Sequence, residues 1–392
     1  MPALSYYLAN ARVLNTDGEI ENAALVIENA RVAAVGASAE IPAPSNARVI
    51  DASNFIIAPG FIDLQFNGGF GHDFTAHPET IWRVAQELPR HGVTAFLPTV
   101  ITSPLETIHR AQSVLQNGAP ENFRGAVPLG LHLEGPFLNP HKRGAHNVAH
   151  MRLPDERAIQ DWSPQNFVRL VTLAPELEGA TRVIRALCER GVVVSAGHSM
   201  ATYAQAMYSF DAGITYGTHL FNAMPQIDHR TPGLAVALLH DARVTVGIIP
   251  DGIHVHPALV ALAMQQKSAA QVNVVTDAMA ALGMSPGIYK LGDFHVHVNE
   301  TSARLDDGRL AGSILNMRDA LHNQMQFTNC SLRDALATMT SAPARVLHLE
   351  NERGKIARGY FADMVLLTRD LRVAATMVQG QWAWHDAQHI AL

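Results

Sequence analysis

The pattern of apolar and polar positions changes rhythm near residue 58. Before it, short runs alternate the two kinds: "YYLANARVLN", "AALVIENARVAAVG" and "ARVIDASNFIIAPG", with turn residues between them. Alternation at period two predicts half-buried strands, so residues 1–57 read as an all-β segment. From 58 onward, nearly continuous apolar runs recur at 61–67, 93–100, 127–135, 170–176, 192–199, 214–223, 244–254 and 272–279. Between most of them lie segments of helical period, such as "PETIWRVAQELPRHG", "EGATRVIRALCERG" and "HPALVALAMQQK". Buried strands joined by helical crossovers predict an α/β fold, a parallel (β/α)8 barrel of the TIM type. The sixth crossover, "GLAVALLHD", is short and the stretch 136–165 is long and polar, so a doubly wound open sheet is the alternative.

After the eighth run, "YKLGDFHVHVNETSARLDDGRLAGS" returns to period two, and its "DDG" marks a hairpin turn. Helical segments follow at about 314–327 and 331–348, and the tail "GKIARGYFADMVLLTRDLRVAATMVQGQWAWHD" returns to short strands. The expected organisation is a barrel over 58–349 and a small discontinuous β-sandwich domain built from 1–57 plus 350–392. Composition agrees: 392 residues, 48% hydrophobic and 16% charged, form a large core rather than a disordered chain. The net charge of −6 argues against a nucleic-acid partner but allows a local basic pocket. Cys188 and Cys330 have no CxxC spacing, so no disulfide framework is expected and a reducing cytoplasm is the default setting. The first residues lack a basic stretch followed by an apolar one, and no apolar run reaches about 18 residues; neither a signal peptide nor a membrane span is expected.

Chemistry in such a barrel sits at the C-terminal ends of the strands. There the runs carry Gln65 and Asn67, His132 and Glu134, His198, His219 with Asn222, Asp251 with His254, and Asp277. A lone strand-end histidine is more often a hydrogen-bonded core or loop residue. His198 and His219 on consecutive inferred strands, with Glu134 and Asp277 also at strand ends, are a different matter. Two imidazoles and a carboxylate suit a borderline divalent ion such as zinc, with a coordination position left for water, which is the catalytic arrangement. Asp277 would then move a proton from that water to a leaving group, and the assembly would hydrolyse an amide or ester. His295 and His297 form HxH in the alternating hairpin, away from the barrel ends, and read as a solvated strand. Arg230, in the loop after the sixth run, is by spacing either a surface arginine or a bidentate anion ligand.

Taken together, "APGFIDLQFNG", "LGLHLEGPFLNPHKRGAHN", "SAGHS", "GTHLFNAM", "DGIHV", "VTDAMAALG" and "LAGSIL" resemble the N-acetylglucosamine-6-phosphate deacetylases of the amidohydrolase superfamily, in the same order through nearly the whole chain. The tail motif "GKIARGYFADMVLL" is similar to a C-terminal motif of the wider superfamily. The resemblance implies hydrolysis of N-acetyl-D-glucosamine 6-phosphate to D-glucosamine 6-phosphate and acetate. It makes Glu134, His198 and His219 the metal ligands and Asp277 the catalytic acid and base. His146, beside Ala145, would hold or polarise the acetamido group. Asn222 and Ala223 would contact the sugar phosphate, His254 and Arg230 its phosphate, and the backbone of Leu310, Ala311 and Gly312 the sugar. It also implies a homodimer in which Arg230 reaches the partner's site.

The stretch "PGFIDLQFNGG" holds Gln65-x-Asn67 where many metal hydrolases hold His-x-His. Neutral amides are poor zinc ligands, so one divalent metal per subunit is expected, zinc first, with Fe2+, Co2+ or Mn2+ able to occupy the same donors. The competing readings are a deacetylase for the galactosamine epimer, a cyclic-amide hydrolase such as dihydroorotase, and a metal-free sugar-phosphate sensor. The cyclic-amide hydrolases typically use HxH and a bridging lysine on the fourth strand, where "LVTLAPE" has none. A sensor would have dispensed with the hydrolytic set.

Overall fold

The structure is a computed structural model that describes residues 5–390; the first four and last two positions of the expected small domain lie outside the described residues. Parallel strands Phe61–Phe66, Val93–Ile101, Leu131–Glu134, Val168–Leu173, Val193–Ala196, Tyr216–Gly217, Thr245–Ile248 and Val272–Val274 follow one another around a ring, each paired with the next. The ring closes through a parallel bridge between Phe66 and Ala278, which excludes the open doubly wound sheet. Strand residues such as Val168, Leu170, Val194, Val246 and Ile248 are buried, because a parallel sheet covered by its crossovers has no solvated face.

The crossovers are uneven. Helices Leu105–Gln116, Ala180–Glu189, Tyr203–Asp211, Gly233–His240 and Pro257–Lys267 cover the outer face. The first crossover, expected as one helix, is a short helix Ile81–Ala85 between two 3-10 turns. Pro89 lacks the N–H that a continuing helix needs, and Gly92 ends the segment at a left-handed φ of 81°. The polar stretch 136–165 contains 3-10 turns and no α-helix.

Strands Ser5–Asn15, Gly18–Glu28, Arg31–Ala37, Ala47–Asp51 and Ile56–Pro59 join Met364–Leu367, Val373–Val378 and Gln381–His385 in one eight-stranded mixed sheet. The junction between the two chain ends is the antiparallel pairing of Ile56–Pro59 with Met364–Leu367. Leu8, Leu25, Ile57, Met364 and Leu366 lie in its own apolar core.

Strands Gly287–Leu291, Phe294–Val298 and Ala303–Arg304 form a small antiparallel sheet. Contrary to the expectation that this excursion stands away from the barrel ends, its core includes Ile101, Ala145 and Met279 at the C-terminal ends of the barrel strands. His295 and His297 are nevertheless exposed, and His297 Nε2 faces Asp306 at 2.6 Å. Among the described residues, no helix is long and apolar enough to cross a membrane.

Candidate active site

Glu134, His198 and His219 converge from the ends of the third, fifth and sixth barrel strands. Glu134 Oε1 lies 3.1 Å from His198 Nε2 and 3.0 Å from His219 Nε2, and the two imidazole nitrogens are 3.0 Å apart. All three residues are buried. The backbone carbonyl of Lys142 accepts from His198 Nδ1 at 2.8 Å, which leaves Nε2 with a bare lone pair facing the carboxylate. Two ring nitrogens and a carboxylate oxygen this close need a proton or a metal cation among them. The donor set therefore fits a divalent ion, and these three residues form the group able to hold one. Burial alone would raise the Glu134 carboxyl, yet the two histidines hold it well below the ordinary range. Burial likewise opposes the imidazolium of His219, and the Glu134 bond reverses that and raises it.

Backbone geometry at these positions is costly. His198, His219, Ala223 and Asp277 adopt φ values of 49°, 30°, 50° and 51°. Non-glycine residues in this region store of order 1–3 kcal/mol each, a strain that concentrates at functional sites. Gly197, before His198, has no room for a side chain: a Cβ would come within 2.8 Å of both Thr172 and Thr218.

Asp277 Oδ1 accepts from Asn67 Nδ2 at 2.7 Å and from Gln65 Nε2 at 3.0 Å. The same Gln65 nitrogen donates to Glu134 Oε1 at 3.0 Å. One amide group thus ties the two carboxylates together with its two hydrogens. In this orientation Gln65 offers hydrogen-bond donors, not lone pairs, to the two carboxylates. Burial, then the nearby Glu134, pushes Asp277 up to about 6.

His146 is held by Thr102, whose backbone N–H donates to Nδ1 at 3.3 Å and whose hydroxyl lies 2.9 Å from the same nitrogen. A nitrogen that receives an amide proton carries none of its own, so the ring proton is on Nε2. That atom is 3.7 Å from Glu134 Oε2. Burial and then His198 push His146 down to about 3, so it is a neutral donor.

These side chains line a cavity of about 310 Å³, at the lower end of the range for small-molecule sites. Asn67, Ala145, Asn222, Ala223, His254, Leu310 and Gly312 also line it. Gln65 lies behind the wall, and Ala311 is buried in the core of the small antiparallel sheet. Asp251 Oδ2 meets His254 Nδ1 at 2.6 Å, a contact that orients the ring. Burial opposes ionisation of Asp251, but His254 holds its carboxyl below the usual range. Arg230 does not join the group. It is exposed in the loop after the sixth strand, and its backbone N–H bonds Asp228.

Sequence reasoning missed other contributors. Lys142 and Arg309 line the cavity, and Arg309 donates to the carbonyl of Gly144 and to Asp307. Beneath the metal-ligand group the barrel interior is polar: His132 Nε2 meets Thr172 Oγ1 at 2.7 Å, and Thr172 Oγ1 meets Thr218 Oγ1 at 2.6 Å. Burial pushes His132 down to about 4, so it is neutral there. His132, placed by the sequence at the end of the third run, received no role there; the alternation of "LGLHLEG" puts it on the same face as Glu134.

The amidohydrolase family model matches residues 56–383. The chain is 41% identical over 350 residues to the N-acetylglucosamine-6-phosphate deacetylase of Homo sapiens, covering 85% of each chain. It is 33% identical over 390 residues to that of Bacillus subtilis (strain 168), covering 97% of this chain and 98% of that one. The crystal structure of the Pasteurella multocida deacetylase superposes with a TM-score of 0.91 at 29% identity, over 98% of this chain and 100% of that one. A Mycobacterium smegmatis deacetylase, an aspartate-to-alanine variant in complex with N-acetyl-D-glucosamine-6-phosphate, superposes with a TM-score of 0.87 at 35% identity, over 98% and 100%. With a buried two-histidine, one-glutamate group at the mouth of its barrel, the chain belongs to the amidohydrolase superfamily, and within it to the N-acetylglucosamine-6-phosphate deacetylases.

Proposed function

We propose that the chain hydrolyses N-acetyl-D-glucosamine 6-phosphate to D-glucosamine 6-phosphate and acetate, with one divalent ion, zinc first, held by Glu134, His198 and His219. The observation that carries this reading is the convergence of those three donors beside Asp277 on the cavity wall. An ion bound there would supply Lewis acidity, polarising the acetamido carbonyl and lowering the pKa of a bound water to about 7.

The remaining steps belong to the chain. Asp277, freed of competing protons by its two amide donors, takes a proton from the attacking water. It then returns that proton to the amine of the leaving sugar. His146, neutral and protonated on Nε2, donates to the carbonyl oxygen as charge develops on it. Ala145 and the backbone of Leu310–Gly312 flank the sugar, and Asn222 and Ala223 contact the sugar phosphate. His254, oriented by Asp251 through Nδ1, takes one phosphate oxygen through Nε2–H. Arg230 is exposed and does not line its own cavity, which leaves it free to complete a partner's phosphate site in a homodimer. Both cysteines are free thiols, which supports a cytoplasmic setting.

The test is acetate release from N-acetylglucosamine 6-phosphate and from its galactosamine epimer, with metal content measured on the same sample. Release from the first with one metal per chain is expected; no release from either sugar phosphate by metal-loaded protein would defeat the reading.

A further inference from the structure

The ring of strands is stitched unevenly at its last joint. Val272–Val274 makes no ladder with Phe61–Phe66 among the described residues. Backbone bonds between the two strand ends lie around Asp277: its N–H donates to the Gln65 carbonyl at 2.9 Å, and the Asn67 N–H donates to the Ala278 carbonyl at 2.8 Å, with Phe70 and Gly71 bonding Leu282 and Ala280 in the loops beyond. Further down the joint, a side chain replaces the ladder. Asp63 is wholly buried on the first strand. Its Oδ2 accepts from the Thr276 hydroxyl at 2.6 Å, and its Oδ1 accepts the backbone N–H of Gln65 at 3.2 Å and of Thr276 at 3.3 Å. The Thr276 hydroxyl, having given its proton to Asp63, has a lone pair for the N–H of Ala278 at 3.2 Å.

This chain of bonds spans Asp277. Thr276 precedes it, Ala278 follows it, and the hydroxyl of one binds the amide of the other. Between them Asp277 has a φ of 51°, in the left-handed region that few non-glycine residues adopt. A second clamp acts from the other side: Ser313 donates its hydroxyl to the Thr276 carbonyl at 2.5 Å and its N–H to the Asp277 carbonyl at 2.8 Å. Gly312, beside it, has a φ of 65°, and a Cβ there would press on the Asp277 carbonyl at 3.0 Å.

We propose that Asp63 and Thr276, which do not line the cavity, are positioning residues for proton transfer: the Thr276 hydroxyl, oriented by Asp63, fixes the turn that aims the Asp277 carboxylate. This rests on the proposed role of Asp277. The proposal separates them from the residues that hold metal or sugar, so their loss acts on kcat.

The test uses metal-loaded holoenzyme. Thr276→Val keeps the side chain's shape and removes the hydroxyl; Thr276→Ser keeps the hydroxyl. Thr276→Val is expected to lower kcat about 100-fold, the scale of a misplacement near 1 Å, with KM and metal per chain at wild-type values. Thr276→Ser is expected to recover most of the rate. Wild-type turnover in Thr276→Val, or a loss matched by lost metal or lost folded protein, would overturn the proposal. Asp63→Asn gives the same kcat-selective loss if Thr276→Val does not fold, and a wild-type kcat there counts against it equally. A crystal structure of the Thr276→Val or Asp63→Asn variant distinguishes failure of this inference from failure of the functional reading. Residue 277 is expected to leave its left-handed conformation whatever the substrate proves to be; an unmoved Asp277 carboxylate would overturn the positioning role.

Discussion

The rings of His146 and His198 meet edge to face, 4.5 Å between centroids at an interplanar angle of 67°, and the backbone assigns their protons to opposite nitrogens. Thr102 donates to Nδ1 of the first; Lys142 accepts from Nδ1 of the second. Adjacent histidines therefore present a donor and a lone pair to the same cavity. His198→Gln should lose metal by elemental analysis, as should Glu134→Ala. His146→Gln should keep metal and lose about 10²–10³ in kcat, the scale of a missing donor to developing oxyanion charge. Metal loss in His146→Gln would mean that the two roles are not separate.

Asp277 must be ionised to take a proton. Its carboxyl stands at about 6, raised first by burial and then by Glu134. A dication beside it pulls that value down, so the acid limb of the kcat profile should fall at or below about pH 6. Below that limb the carboxylate is protonated and the rate drops; above it the rate is level. Asp277→Asn should retain metal, lose about 10²–10⁴ in kcat and lose the limb. A near-wild-type kcat in this variant would remove Asp277 from the mechanism.

Gln65 spends both amide hydrogens on carboxylates, one on Glu134 and one on Asp277. Replacing Gln65 and Asn67 together by histidine supplies two imidazoles next to those carboxylates. Metal per chain, measured after dialysis, should rise from one towards two. Two tightly bound ions in the unaltered protein would contradict the reading of this stretch.

Arg230 is exposed in the single chain and supplies no contact to its own cavity. Arg230→Ala should raise KM for the phosphorylated sugar about ten- to hundredfold, the worth of one charge-assisted hydrogen bond, with little change for the unphosphorylated sugar. Equal effects on both sugars would argue against a phosphate contact. Sedimentation of the unaltered protein should give a dimer; a monomer at full activity would exclude a partner-supplied arginine.

The barrel was legible because parallel strands covered on both faces must be apolar throughout, so runs such as "VTAFLPTV" stand out. The convergence of Glu134, His198 and His219 was legible because two histidines and a glutamate at the ends of such runs must lie near one another at one mouth of a barrel. The joint between the first and last strands was not legible. Asp63 and Thr276 are far apart in sequence, and nothing in "FID" or "VTD" alone says that the carboxylate of one orients the hydroxyl of the other. Arg309 was hidden in the same way: its place on the cavity wall follows from the small antiparallel sheet folding back over Ile101 and Ala145. Local periodicity predicts that sheet's strands but not where it docks.

The bonds that join residues 276–278 to the first strand close the ring and hold Asp277 with the same atoms. Under the proposed role of Asp277, a molecule whose joint is open would have no aimed carboxylate, so turnover would report on closure of the ring.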